Sequence, residues 1–135
     1  MKALLIHAYS TTNSGDGLLV REAVDLLLSA YPSAHYSVLA LDPESFHDAN
    51  ADSILHPLTG SPKGISSIET LARGAALAFS GRRNHLVQRL IDEADLVLAV
   101  GGGYLRGRSV VEATKTFFTH FVQLPRAADR TPFVY

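Results

Sequence analysis

With 135 residues and a mass of 14.5 kDa, the chain has the length of one ordinary domain, enough for a layered hydrophobic core and too little for two. Hydrophobic residues make up 47%, charged residues 19%, and the net charge is −1, which excludes a disordered, collagen-like or low-complexity chain and leaves no basic excess for binding nucleic acid. The absence of cysteine excludes a disulfide scaffold, a Cys-based zinc site and a thiol nucleophile.

Met1–Ile6 is interrupted by His7 too early to be a signal peptide, and no apolar stretch approaches membrane-spanning length. The expectation is a cytoplasmic protein without a membrane span. Ala3-Leu4-Leu5-Ile6 is a continuous apolar run, the pattern of a strand covered by helices on both faces. The segment Ser10–Gly17 supplies eight turn-forming or capping residues. Val20, Ala23, Val24, Leu27 and Leu28 then repeat at helical spacing up to Pro32. Ser37–Leu41, closed by Asp42-Pro43, reads as a second buried strand and completes a βαβ unit.

In the middle of the chain, Ser53–His56 reads as a short third strand. The two prolines and two glycines between Pro57 and Gly64 point to a flexible loop. Ile68, Leu71, Ala72, Ala75, Ala76 and Phe79 form one helical face, and Leu86, Val87, Leu90 and Ile91 form another, with Gly81-Arg82 between them. Leu96–Val100 is the strongest strand, followed directly by Gly101-Gly102-Gly103. Ser109 is placed to cap a helix carrying Val110, Ala113, Phe117, His120, Phe121 and Leu124 up to Pro125, and Pro132–Tyr135 resembles the start of a further strand.

Strands alternating with helices predict an α/β fold with a doubly wound, mainly parallel, Rossmann-like sheet occupying residues 1–135. A chain ending on the first residues of a strand suggests the N-terminal domain of something longer. In such sheets ligands bind beyond the carboxyl ends of the strands, where the strand order reverses. With the usual order 3-2-1-4-5, the first strand lies beside Leu96–Val100, and the two most glycine-rich loops line one crevice.

The first of these loops is Asn13-Ser14-Gly15-Asp16-Gly17. Its glycines allow positive φ and close approach, and the following helix N-terminus offers free N–H groups to a ligand oxygen or anion. The plainer reading is that Ser14 or Asp16 caps the helix and the glycines make the turn. Val20 stands where the dinucleotide fingerprint needs Gly or Ala, so NAD binding is not supported. The second loop, Gly101–Ser109, joins three glycines to Arg106 and Arg108. These arginines suit fork-like hydrogen bonds to carboxylate or phosphate, although surface arginines are commonly just solvated.

No Walker A sequence and no GxSxG elbow occurs. The six histidines, at 7, 35, 47, 56, 85 and 120, show no metal-ligand spacing along a helix, so neither a metal site nor a cofactor is expected. His7, at the end of the first strand, is the best histidine candidate for a role. His120, among Phe117, Phe118 and Phe121, reads as structural.

The Asn13-Ser14-Gly15-Asp16 loop after the first strand, followed much later by Asp95–Gly103-Tyr104-Leu105, resembles the polysaccharide pyruvyl transferase family. The resemblance implies the N-terminal half of a glycosyltransferase-B-like architecture, in which two Rossmann-like domains face each other across a cleft. It implies transfer of a pyruvyl group from phosphoenolpyruvate to a saccharide acceptor in cell-surface or exopolysaccharide biosynthesis. It maps Asn13, Gly15 and Asp16 onto one motif, with Asp16 as acid or base, and Gly101, Gly102, Gly103 and Leu105 onto the other. Arg106 and Arg108 stand where the family often has an acidic residue. The family's donor-handling Arg and His groups fall largely beyond the matched part, so this chain alone is expected to be inactive. The rival expectation is a non-catalytic Rossmann-like binding or interaction domain.

Overall fold

The computed structural model describes residues 1–12, 14–80, 84–100, 109–120 and 133–134. Five strands form one sheet: β1 (Lys2–Ala8), β2 (His35–Ala40), β3 (Ser53–Leu55), β4 (Leu96–Ala99) and β5 (Phe133–Val134). Their order is β3-β2-β1-β4-β5, and every pairing is parallel. Four helices accompany them: α1 (Ser14–Ala30), α2 (Ser67–Ser80), α3 (His85–Glu93) and α4 (Val110–His120). The fold is therefore α/β and Rossmann-like, with β1 at the centre of the sheet.

The unbroken apolar run in β1 reflects its two covered faces, since Leu4 is 1% and Leu5 0% exposed. On one face Ala3 and Leu5 join Val38 and Ala40 of β2 and pack under Val20, Val24 and Leu27 of α1. On the other, Leu4 and Ile6 join Leu39, Leu55 and Val97 under Val87 and Ile91 of α3. Alternate side chains of one strand thus feed two cores, which is the physical meaning of a doubly wound sheet. The β2–β3 crossover is not helical; it runs through a single 3-10 turn, Pro43–Ser45, and extended chain.

Two expectations about packing are corrected. The segment expected as a flexible loop, Pro57 to Gly64, buries Pro57 and Leu58, and its backbone closes on the preceding His56, itself buried, through His56 N to Ser61 O (2.7 Å) and Gly60 N to His56 O (2.8 Å). On α2 the apolar face expected from periodicity is only partly covered: Thr70, Gly74 and Leu77 are buried and Leu71 and Ala75 half-buried, whereas Ala72 and Ala76 are exposed, Ile68 is 82% and Phe79 89% exposed. Gly74 is the reason. A Cβ there would fall 2.3 Å from Phe118 Cβ of α4, so the side lacking a side chain is the side that lets the two helices meet. α4 is capped as expected, Ser109 Oγ accepting from Glu112 N at 3.2 Å, but Val110 and Phe117 are exposed while Thr119 is buried. The expected continuation to Leu124 lies outside the described residues.

Candidate functional site at the carboxyl edge

β1 and β4 are neighbours, in the register Ala3↔Leu96, Leu4↔Val97, Leu5↔Leu98 and Ile6↔Ala99, and Val100 N continues the ladder to Ile6 O at 2.9 Å. The chain leaves both strands at the same edge, so the two glycine-rich segments begin from adjacent strand ends. Asn13, Gly101, Gly102, Gly103, Arg106 and Arg108 lie outside the described residues. Gly15 and Asp16 lie in the first turn of α1, and Asp16 is 4% exposed. The expected use of positive φ by the glycines of this loop does not hold for Gly15 and Gly17, which are helical; among the described glycines only Gly60 has it. Gly17 serves close approach instead, since a Cβ there would sit 3.3 Å from Thr11 Cα.

His7 is 4% exposed and has φ 71°, a left-handed backbone that carries strain in any residue bearing a Cβ. It coincides with a register shift of the β1–β2 ladder between Leu5 and Ala8, so the strand kinks where it delivers the chain to the edge. Burial removes solvent from the imidazolium and lowers the His7 pKa from 6.5 to about 4, so at neutral pH the ring is an uncharged donor and acceptor.

Beyond the strands, Leu41 N donates to Ala8 O (3.1 Å) and Asp42 N to Tyr9 O (2.9 Å), which zips the two strand exits together. Ser10, 2% exposed, donates its hydroxyl to Asp42 Oδ2 at 2.8 Å. That O–H being committed, the 2.7 Å contact between Ser10 Oγ and Thr12 Oγ1 has Thr12 as donor. Ser45 Oγ donates to Asp42 O (2.7 Å) and accepts from Thr11 N (3.0 Å), while Thr11 Oγ1 donates to Ser45 O. The loops after β1 and β2 are thereby one hydrogen-bonded unit centred on Asp42. Sequence reasoning read Asp42 only as a strand terminator. The available signal was its place at the end of the second strand, where α/β sheets commonly set an acidic residue against ligand hydroxyls.

The edge combines the N-terminus of α1, two carboxylates and a row of hydroxyls, a donor and acceptor set suited to a hydroxyl-rich or anionic ligand. Among the described residues no group of three or more His, Asp or Glu is arranged to hold a metal ion, and no helix is long and apolar enough to cross a membrane. A cavity of about 200 Å³ opens at the opposite, amino edge, where Lys2 pairs with Glu93 at 2.7 Å and His35 with Asp52 at 3.3 Å. These are surface pairs of small energetic weight. Compared with protein-family models, curated proteins and solved structures, the chain matches none.

Proposed function

We propose that the carboxyl edge is one half of the site of a pyruvyl transferase, which moves the enolpyruvyl carbon unit of phosphoenolpyruvate onto two hydroxyls of a saccharide and releases phosphate. The acceptor is a cell-surface or exopolysaccharide precursor in the cytoplasm. The observation that carries the reading is the side-by-side pairing of β1 and β4, which starts the Asn13–Asp16 and Gly101–Arg108 segments from neighbouring strand ends. The sequence resemblance assigns chemistry to those two segments.

Ketal formation needs an acid to protonate the enol carbon, a base for the attacking hydroxyl and cations for the donor's carboxylate and phosphate. Asp16 takes the proton-transfer role. Arg106 and Arg108 hold the anion, and Asn13, Gly15 and Gly101–Gly103 bring backbone close to substrate. A facing domain of glycosyltransferase-B type supplies the rest, because transition-state stabilisation and water exclusion require both walls of a cleft. The test is incubation of the full-length protein with phosphoenolpyruvate and candidate glycans, following phosphate release and the acceptor's mass. Phosphate release coupled to a ketal product supports the reading. Ligand binding without turnover by full-length protein favours the non-catalytic binding domain.

A further inference from the structure

The cavity at the amino edge is walled by the last turn of α3 and by β1, β2 and the start of β3. Side chains alternate along a strand, so Leu4 and Ile6 of β1, Ser37 and Leu39 of β2, and Ser53 and Leu55 of β3 share the sheet face that α3 covers. Toward the carboxyl end the row Ile6, Leu39 and Leu55 is apolar and buried. One row back, Ser37 and Ser53 set two hydroxyls side by side in register, Ser53 Oγ donating to Ser37 Oγ at 2.9 Å. Both line the cavity, with Leu4 and Leu90 as its apolar walls.

Two hydroxyls that share one hydrogen bond have a proton left over. It belongs to Ser37, which is 7% exposed, and no acceptor for it occurs among the described residues. A donor so buried and unmatched is costly, so its presence on a cavity wall points to an acceptor brought from outside. The rim supplies the opposite kind of group. Lys2 Nζ holds Glu93 Oε2 at 2.7 Å and His35 Nδ1 lies 3.3 Å from Asp52 Oδ1, which leaves Glu93 Oε1 and Asp52 Oδ2 without a partner among the described residues. Asp95, whose Oδ2 accepts from Lys2 N at 2.8 Å, adds a third carboxylate, and α3 has no basic residue in its last turn to offset the negative end of its dipole. The cavity is therefore anionic at its mouth, apolar in its walls and hydrogen-bond donating at its floor.

We infer that this cavity is a second binding site, apart from the carboxyl edge, for a small amino alcohol: its ammonium group pairs with Asp52 and Glu93, its hydroxyl oxygen accepts from Ser37, and its hydrocarbon part lies against Leu4 and Leu90. A cavity of about 150 Å³ takes benzene, so about 200 Å³ suits about eight heavy atoms. Leucinol has that size and all three parts. Isoamylamine lacks its hydroxymethyl group, and isohexanol lacks its charge.

Saturation-transfer NMR titrations of the full-length protein with these three probes test the assignment. Leucinol should bind saturably at millimolar concentration, with the strongest transfer to its isobutyl methyls, and each of the other two should bind at least about fivefold more weakly. Ser37→Ala should bring leucinol down to the level of isoamylamine and leave isoamylamine unchanged. Asp52→Asn/Glu93→Gln should weaken both amines severalfold, as should added salt, and leave isohexanol unchanged. Circular dichroism checks the fold of each variant. Should Ser37→Ala not fold, the three-probe comparison on the parent and the variant with two exposed substitutions decide the question. No saturable leucinol binding, equal affinity for all three probes, or undiminished leucinol binding in Asp52→Asn/Glu93→Gln would overturn the assignment. So would displacement of leucinol by phosphoenolpyruvate, which would place it at the carboxyl edge.

Discussion

The side chain of Asn84 lies against the backbone of Gly60, so closely that a Cβ on Gly60 would fall 2.6 Å from Asn84 Oδ1. Asn84 uses that same oxygen to accept from Leu86 N at 2.9 Å and Val87 N at 3.3 Å, capping α3, and its Nδ2 donates to Thr59 O at 2.6 Å. The turn after β3 and the start of α3 are thus one joint, and Gly60, at φ 64°, has the backbone that only glycine adopts without strain. Gly60→Ala is expected to lower stability by about 2 kcal/mol, from left-handed strain plus displacement of the cap, and Asn84→Ala by about 1–2 kcal/mol. Urea denaturation measures both; a loss of only a few tenths in Gly60→Ala would contradict the joint.

Gly74 gives a prediction opposite in sign to helix propensity. In an exposed helix interior, replacing Gly by Ala stabilises by about 1 kcal/mol. Here the added methyl meets Phe118 at the α2–α4 contact, so Gly74→Ala should be net destabilising by about 1–2 kcal/mol. A rise in Tm would show that the helices can part without loss.

Two buried histidines set a pH response. Desolvation lowers His7, and desolvation followed by the charge of Lys115 lowers His56, each from 6.5 to about 4. His56 Nδ1 accepts from Leu58 N at 3.2 Å, which requires that nitrogen to be unprotonated. Between pH 6.5 and about 4 the unfolded chain binds protons that the folded chain refuses. Stability should therefore be full above pH 6.5, fall as pH drops through that window and level off below it, each histidine contributing up to about 3 kcal/mol. Urea midpoints across that pH range check this, and His56→Gln should flatten the slope.

Within the proposed reaction, Asp16→Asn in full-length protein should lower kcat by about a hundredfold or more with the donor KM little changed. Arg106→Ala and Arg108→Ala should instead raise the donor KM by about tenfold. Steady-state phosphate release separates the two patterns. Equal effects on both constants in all three variants would point to general damage to the fold.

The sheet was readable because strands covered on both faces leave continuous apolar runs, as in Ala3–Ile6 and Leu96–Val100, and the assumed order 3-2-1-4-5 matches the one found. The position of Ser14–Asp16 beyond the carboxyl end of the central strand was readable as well, since they follow β1 in the chain. Periodicity, however, tells which residues share a helix side without telling which side faces in. On α2 the decision fell to Gly74, a residue whose contribution is the absence of a side chain. The Ser10–Asp42 unit was missed for a related reason: hydroxyls and carboxylates in loops look alike in sequence whether they end a strand or join two loops. The strained backbone of His7 leaves no trace in sequence, because positive φ in histidine comes from tertiary packing.

The central place of β1 also governs how the polypeptide acquires its shape as it is made. β1 emerges well before β4: Lys2 N meets its partner Asp95 across 93 residues, and the β1–β4 ladder waits for that length of chain. Until then one side of an apolar strand, the middle of the finished sheet, is an open edge. Closure of such distant parallel pairs is slow because so much loop entropy is lost at once. A nascent chain carrying β1, β2 and β3 is therefore the species most exposed to wrong pairing and most in need of chaperone shelter, and arrival of β4 ends that exposure.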